Sequence, residues 1–262
     1  MADPTVRLGG MALQNGVLVH GPTSWGCAVR GADGALHVAS ARKPVIAPAV
    51  RRRLPVLRGP LVLADAFALL PSVRRALPQA RLPFERPIVL GSIATSVLGA
   101  RLLRRARFSP GREVAAGVLS LLPAGMALRG PDLASYHGAE HVSIGTYESG
   151  GVVRAPKEHP RCGSQLVAPL LAASAVANVV VTQVPARARG VARVVGTVGA
   201  IGVALELHGW AARNPERRLA RAISRPGFEL QRHISTSEPS DEQVEVADAA
   251  RDACLALELG TA

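Results

Sequence analysis

Residues 166–184 read LVAPLLAASAVANVVVTQV, and residues 194–212 read VVGTVGAIGVALELHGWAA. Each stretch approaches the roughly 20 apolar residues that a helix needs to cross the hydrocarbon core of a bilayer. The first tolerates Asn178 near its middle, and the second carries glycines whose small size permits close helix contact. The two stretches therefore predict a pair of transmembrane helices.

Two shorter apolar segments precede this pair, at residues 88–103 and 114–128, and residues 104–112 between them are rich in arginine. Their length leaves two arrangements open, a full crossing or a re-entrant helical hairpin. With four crossings, every segment that carries a motif lies on one side of the membrane. Arginines in the opposite loops prevent the positive-inside rule from deciding the orientation. We expect a multipass protein of the cell membrane with its motif face in the cytoplasm.

The two ends of the chain carry different patterns. Short apolar runs punctuated by glycine fill residues 5–40 and predict a small β-meander. Residues 51–58 resemble a basic connector, and residues 61–77 have the apolar spacing of a helix.

Residues 240–243 form a capping box, which predicts an amphipathic carboxy-terminal helix. Its apolar face is expected to hold Val246, Ala250, Ala253 and Leu257.

The expected fold class is an α+β membrane protein. It combines a small amino-terminal β-meander, about four membrane-associated or transmembrane helices and a carboxy-terminal amphipathic helix. The expected units are a β-rich domain at 1–60, helices with a membrane hairpin at 61–128, a metal-motif loop or helix at 129–165, a transmembrane helix pair at 166–212 and a helical tail at 213–262.

The chain is strongly basic, with a formal net charge of +12, and Lys43 and Lys157 are its only lysines. Such a charge suits anionic lipid headgroups or nucleic acid. Aromatic residues make up only 3% of the chain, too few for a base-stacking surface, so no nucleic acid is expected. The expected partners are the lipid bilayer and an anionic lipid or small-molecule substrate, and self-association stays open.

Three separated cysteines do not make a disulfide framework, which favours a reducing compartment.

Two motifs concentrate metal-binding side chains: YHGAEH at residues 136–141 and HPRCG at residues 159–163. If the first motif is helical, His137 and His141 stand one turn apart on the same face, where two imidazoles can hold one ion. The string is also H-x-x-E-H, in which the glutamate next to the second histidine is placed to activate water. Glu140 is therefore the candidate general base.

The second motif offers further ligands, because a turn at Pro160 allows His159 and Cys162 to converge. A thiolate combined with imidazoles favours zinc among the common divalent ions. In a closed site, His137, His141, His159 and Cys162 form a structural tetrahedron; in an open site, one position stays with water and Glu140 acts on it. Ordinary hydrogen-bonded loop histidines are the third alternative.

A further candidate ligand lies near the end of the second apolar stretch. Glu206 stands among apolar residues, where a carboxylate is costly unless it is paired or functional. It could bind the metal if this helix end approaches the two motifs, or it could pair with Arg213 at the membrane interface.

Seven short motifs occur together along the chain: GGMA at 9–12, GVL at 16–18, RG at 58–59, YHGAEH at 136–141, YE at 147–148, HPRCG at 159–163 and PGFELQ at 226–231. In this combination the chain resembles the bacterial YqhQ-like proteins, the DUF1385 family of unknown function. The resemblance implies a multipass membrane protein and a metal-dependent enzyme.

The leading hypothesis is a membrane protein with one divalent metal, held by His137, His141 and one or two of His159, Cys162 and Glu206. Its chemistry would be metal-assisted hydrolysis with Glu140 as general base, and Arg161 would bind an anionic part of the substrate. The alternative is a noncatalytic membrane scaffold or transport component in which the metal is structural.

Overall fold

The computed structural model of the protein describes residues 6–43, 46–105, 109–127 and 131–260. The strands are β1 (Gly9–Leu13), β2 (Gly16–His20), β3 (Ser24–Arg30) and β4 (Leu36–Arg42). The helices are α1 (Pro48–Arg53), α2 (Pro55–Ala68), α3 (Leu70–Ala76), α4 (Pro87–Leu103), α5 (Pro110–Ser120), α6 (Leu122–Ala127), α7 (Pro131–Glu148), α8 (Val167–Thr182), α9 (Arg189–Arg213), α10 (Arg218–Leu230) and α11 (Asp241–Leu259). Short 3₁₀ turns cover Pro83–Glu85, Gly163–Leu166 and Ala186–Ala188, and Gln231–Ser235 is π-helical.

The predicted β-meander is confirmed as an antiparallel sheet in the order β1-β2-β3-β4. The first two strands form a hairpin, because the chain turns between Leu13 and Gly16. Asn15 holds this turn, since its side chain donates to the carbonyl oxygens of Arg30 and Gln79. The sheet is thereby tied to the segment that follows α3.

The two faces of the sheet are buried in different cores, as alternation along a strand requires. One face packs against α7 and α11, and its core includes Val17, Ala28, Ala139 and Ala250. The other face packs against α3 and the chain that follows it, with Trp25 at its centre. The first of these cores holds α7 against the sheet, which matters because α7 carries the first metal motif.

The expected connector at residues 51–58 is helical and belongs to α1 and α2. A proline begins each of these helices. The first position of a helix tolerates proline well because its N–H would have no partner there. The helix expected at 61–77 is also present, but it is divided after Ala68, where Pro71 lacks the N–H that would continue the hydrogen-bond ladder.

In the part of the chain that the structure describes, two helical segments are long and apolar enough to cross a membrane, Gly163–Thr182 and Arg189–Arg213. A third crossing arises only if residues 111–127 and 132–148 are counted as one bent span. Because α7 packs on the sheet beside α11, we place it outside the membrane. Of the two shorter segments expected to be membrane-associated, the first is the apolar helix α4, and the second is divided between α5 and α6.

The expected carboxy-terminal helix is α11, and its capping box is formed by Ser240 and Gln243. The residues buried on it are Val246, Ala247, Ala250, Cys254 and Leu255. Ala253 and Leu257, which were expected on the apolar face, are only partly buried. The difference arises because α11 contacts the sheet and α7 at once, so its buried face is turned toward both.

The helix pair α8 and α9 predicts how the protein behaves on extraction. Alkaline carbonate and high salt are two treatments that remove peripheral proteins from membranes. A protein with two apolar helices buried in lipid resists both treatments. We expect the full chain to stay in the membrane pellet and to be released only by detergent. Recovery of the folded protein in the carbonate supernatant would contradict the assignment of α8 and α9 as spans.

Candidate metal centre

Three of the predicted ligands converge in the structure: His137 and His141 from α7, and Cys162 from the loop before α8. One nitrogen of each histidine and the sulfur of Cys162 all lie within 4.8 Å of one another. The sulfur is 3.3 Å from Nε2 of His137. Ligand atoms around a tetrahedral zinc ion are about 3.5 Å apart, as bond lengths of about 2.0–2.3 Å require. The cluster can therefore hold a metal ion with little movement.

Backbone carbonyl groups orient both imidazole rings. Nδ1 of His137 lies 2.7 Å from the carbonyl oxygen of Ser235, and Nδ1 of His141 lies 2.6 Å from that of Lys157. Because a carbonyl oxygen can only accept a hydrogen bond, each Nδ1 must carry the proton. In the neutral form of each ring, Nε2 then carries the lone pair with which a histidine binds a metal.

The loop that carries Cys162 is held by a residue to which the sequence analysis gave no role. Gln231 is fully buried, and its side chain accepts from the backbone N–H of His159 and donates to the His159 carbonyl and to Ser164 Oγ. Gln231 also begins the π-helical turn that ends at Ser235, whose carbonyl orients His137. The only signal for it in the sequence is its place in the motif PGFELQ.

Glu140 lies between the two histidines on α7 and is 7% exposed. Burial raises the pKa of its carboxyl group, against the opposing influence of His137 and His159. The strand β1 leaves room for the carboxylate only because residue 10 is glycine. A Cβ atom at Gly10 would lie 2.5 Å from Oε1 of Glu140, so a larger residue there would displace the carboxylate.

His159 does not join the three converging ligands. Its Nε2 lies 3.3 Å from Oε2 of Glu148, and its ring centre is 5.6 Å from that of His141. Arg161 donates to the other oxygen of Glu148. Burial would raise the pKa of Glu148, but the hydrogen bonds from His159 and Arg161 lower it overall. The charge expected to bind a substrate anion at Arg161 is therefore already balanced by Glu148.

Glu206 also lies apart from the converging ligands, although it faces the same space. A cavity of about 780 Å³ is lined by His137, Glu140, His141, Cys162, Glu206 and Arg213, together with apolar residues of β1, α2 and α9. Burial lowers the pKa of His141, which keeps this imidazole neutral. The cavity thus joins three candidate metal ligands, a buried carboxyl group and a mostly apolar wall.

The comparisons with known proteins agree with the resemblance in the motifs. Residues 132–257 match the model of a family described as a protein of unknown function, DUF1385. No curated protein and no solved structure matches the chain. The matched region runs from α7 into α11 and contains all three converging ligands, Glu140 and Gln231. Over residues 132–257, the chain therefore matches the DUF1385 family.

Proposed function

We propose that this protein is a membrane-embedded, metal-dependent hydrolase with a zinc ion held by His137, His141 and Cys162. The observation that supports this proposal best is that three ligand atoms of the described residues, and not four, converge beside a cavity that Glu140 also lines. Three protein ligands with a free position are typical of catalytic zinc sites, whereas structural sites have four. Two imidazoles and a thiolate suit zinc among the common divalent ions.

Each residue of the cavity has a role in this proposal. A bound zinc ion would supply Lewis acidity for hydrolysis. Glu140 accepts a proton from the attacking water and returns it to the leaving group, because its buried side chain lines the cavity. Gln231 and the carbonyls of Ser235 and Lys157 hold the ligands in position.

The walls of the cavity indicate an amphiphilic substrate. Leu205 and Gly209 of the candidate span α9 line it together with Val62, Leu63 and Phe67 of α2. A substrate with an apolar chain would bury that chain against these residues, at roughly 25 cal/mol for each Å² removed from water. Arg213, at the end of α9, lines the same cavity and offers a cation to an anionic group.

A structural metal site is the second candidate, and the position of His159 favours it. Its ring is 5.6 Å from that of His141, so a change of side-chain rotamer could bring it to the ion as a fourth ligand. Glu148 would then lose its histidine partner. In this arrangement the protein is a scaffold or a transport component, and Glu140 has no chemical role.

X-ray absorption of the zinc-loaded full-length protein separates the two candidates. We expect one sulfur, two imidazoles and one lighter non-protein ligand, and an unchanged spectrum in His159→Ala. Three imidazoles in the native protein, with one lost in His159→Ala, would show a closed structural site and would contradict the hydrolase proposal.

A further inference from the structure

A second group of charged side chains lies at the other end of the α8–α9 hairpin. Five arginines, at the end of α4 and the beginning of α9, line a cavity of about 1490 Å³: Arg101, Arg104, Arg105, Arg189 and Arg193. We call it the arginine cavity. Arg193 and Glu206 are separated by about 20 Å along α9, at a rise of ~1.5 Å per residue. The arginine cavity is therefore distinct from the metal centre.

The positive charge of the arginine cavity is mostly unbalanced. Arg104 pairs with Glu113 at 3.3 Å, and Glu113 also accepts a hydrogen bond from Asn178. Arg189 donates to the carbonyl of Val184. Within residues 6–43, 46–105, 109–127 and 131–260, no other ion pair to a carboxylate involves these five arginines. Four guanidinium groups are thus available to one anionic ligand.

Two of the arginines lie inside apolar helices. Arg101 is in the last turn of α4, and Arg193 is one turn inside α9. A charged side chain within an apolar span is costly and generally has a function, although a long side chain near a helix end can also extend to the interface. Here arginines from two different helices line one cavity. Side chains that only extended to the membrane interface would have no reason to share a cavity.

An apolar groove continues from the arginine cavity along the helix pair. It has a volume of about 610 Å³ and is lined by Leu166, Leu170, Leu171 and Ile201. Arg104, Ser120, Val181 and Arg193 line both spaces. The two together offer cations at one end and an apolar surface at the other. This arrangement matches a charged headgroup attached to a hydrocarbon chain, and a free phosphate would use only half of it.

We propose that the arginine cavity binds the phosphate headgroup of an anionic membrane lipid, with an acyl chain in the groove between α5, α8 and α9. The planar guanidinium group suits phosphate because it can donate two parallel hydrogen bonds to it. Basic pockets between transmembrane helices are a general way of binding anionic headgroups. The lipid is a ligand of this site and stabilises the helix pair; it need not be the substrate of the metal centre.

The test uses full-length protein in detergent and measures bound phosphatidylglycerol by native mass spectrometry. The variant is Arg101→Gln with Arg193→Gln, and the matched control is Arg218→Gln with Arg221→Gln, which removes the same charge from α10 outside the cavity. We expect roughly 100-fold weaker binding in the cavity variant, since it loses two charge-assisted bonds and each contributes about as much as a tenfold change in affinity. The control should bind as the native protein does.

Three further results decide the proposal. Equal weakening in both variants would show a general charge effect and overturn it. Native protein that binds phosphatidylcholine as well as phosphatidylglycerol would overturn it too, and this comparison needs no variant to fold. Glycerol phosphate tests whether the bound phosphate must belong to a lipid. If this soluble anion binds as tightly as phosphatidylglycerol, the acyl chain has no role in binding and the proposal is overturned.

Discussion

Replacing His137 or His141 with alanine is expected to reduce the affinity for zinc by roughly 100-fold or more. Loss of a group that only orients a ligand typically costs about 10–100-fold, so loss of a ligand itself should reach the upper end of that range. Each variant removes one of the three converging atoms and leaves the other histidine bonded to its carbonyl. Elemental analysis after dialysis against a zinc buffer measures the effect.

His37→Ala is the matched control for the histidine variants. His37 lies on β4, where it faces Asp33 at 3.7 Å and takes no part in the cluster. The control should retain zinc at the native level, with a native melting temperature. Unchanged zinc content in both His137→Ala and His141→Ala would exclude the histidine pair as ligands.

Substitutions of Glu140 and Cys162 are expected to have different effects, because one residue is the proposed general base and the other a proposed ligand. Glu140→Gln is expected to keep the zinc ion and the melting temperature but to reduce turnover by about 10²–10⁴-fold, because an amide cannot accept the proton. Cys162→Ser is expected to reduce zinc binding and thermal stability together, since an ion that binds only the folded state stabilises that state. Hydrolysis of a short-chain p-nitrophenyl ester is the probe of turnover.

The two variants should be compared side by side for zinc content and melting temperature, which need no substrate. If Glu140→Gln loses zinc while Cys162→Ser keeps it, the glutamate is a ligand and the assigned roles are reversed. Equal loss of zinc in both variants would also contradict the account, because the carboxylate of Glu140 would then belong to the coordination sphere.

Much of the fold could be predicted from local patterns in the sequence. The apolar stretches at 166–184 and 194–212 coincide with α8 and α9, because length and composition alone decide whether a helix suits a membrane. The capping box at Ser240 marks the start of α11 for a similarly local reason. The divisions between α2 and α3 and between α5 and α6 were missed, although Pro71 and Pro123 stand just beyond them.

The candidate site was predictable only in part. The spacing of His137 and His141 places them on one face of any helix, so their pairing follows from the sequence. Whether His159 or Cys162 joins them depends on the loop, and Gln231, which holds that loop, is 72 residues from His159 in the chain. The carbonyls of Lys157 and Ser235 have no side-chain signature at all, so their role emerges only in three dimensions.

The metal content of the purified protein tests the central claim most directly. Full-length protein, extracted in detergent without chelators, should contain about one zinc-like ion per chain, and a chelator should remove it together with part of the thermal stability. Protein that contains no metal as purified, and takes up none from a zinc buffer while correctly folded, would contradict the assignment of His137, His141 and Cys162 as a metal centre.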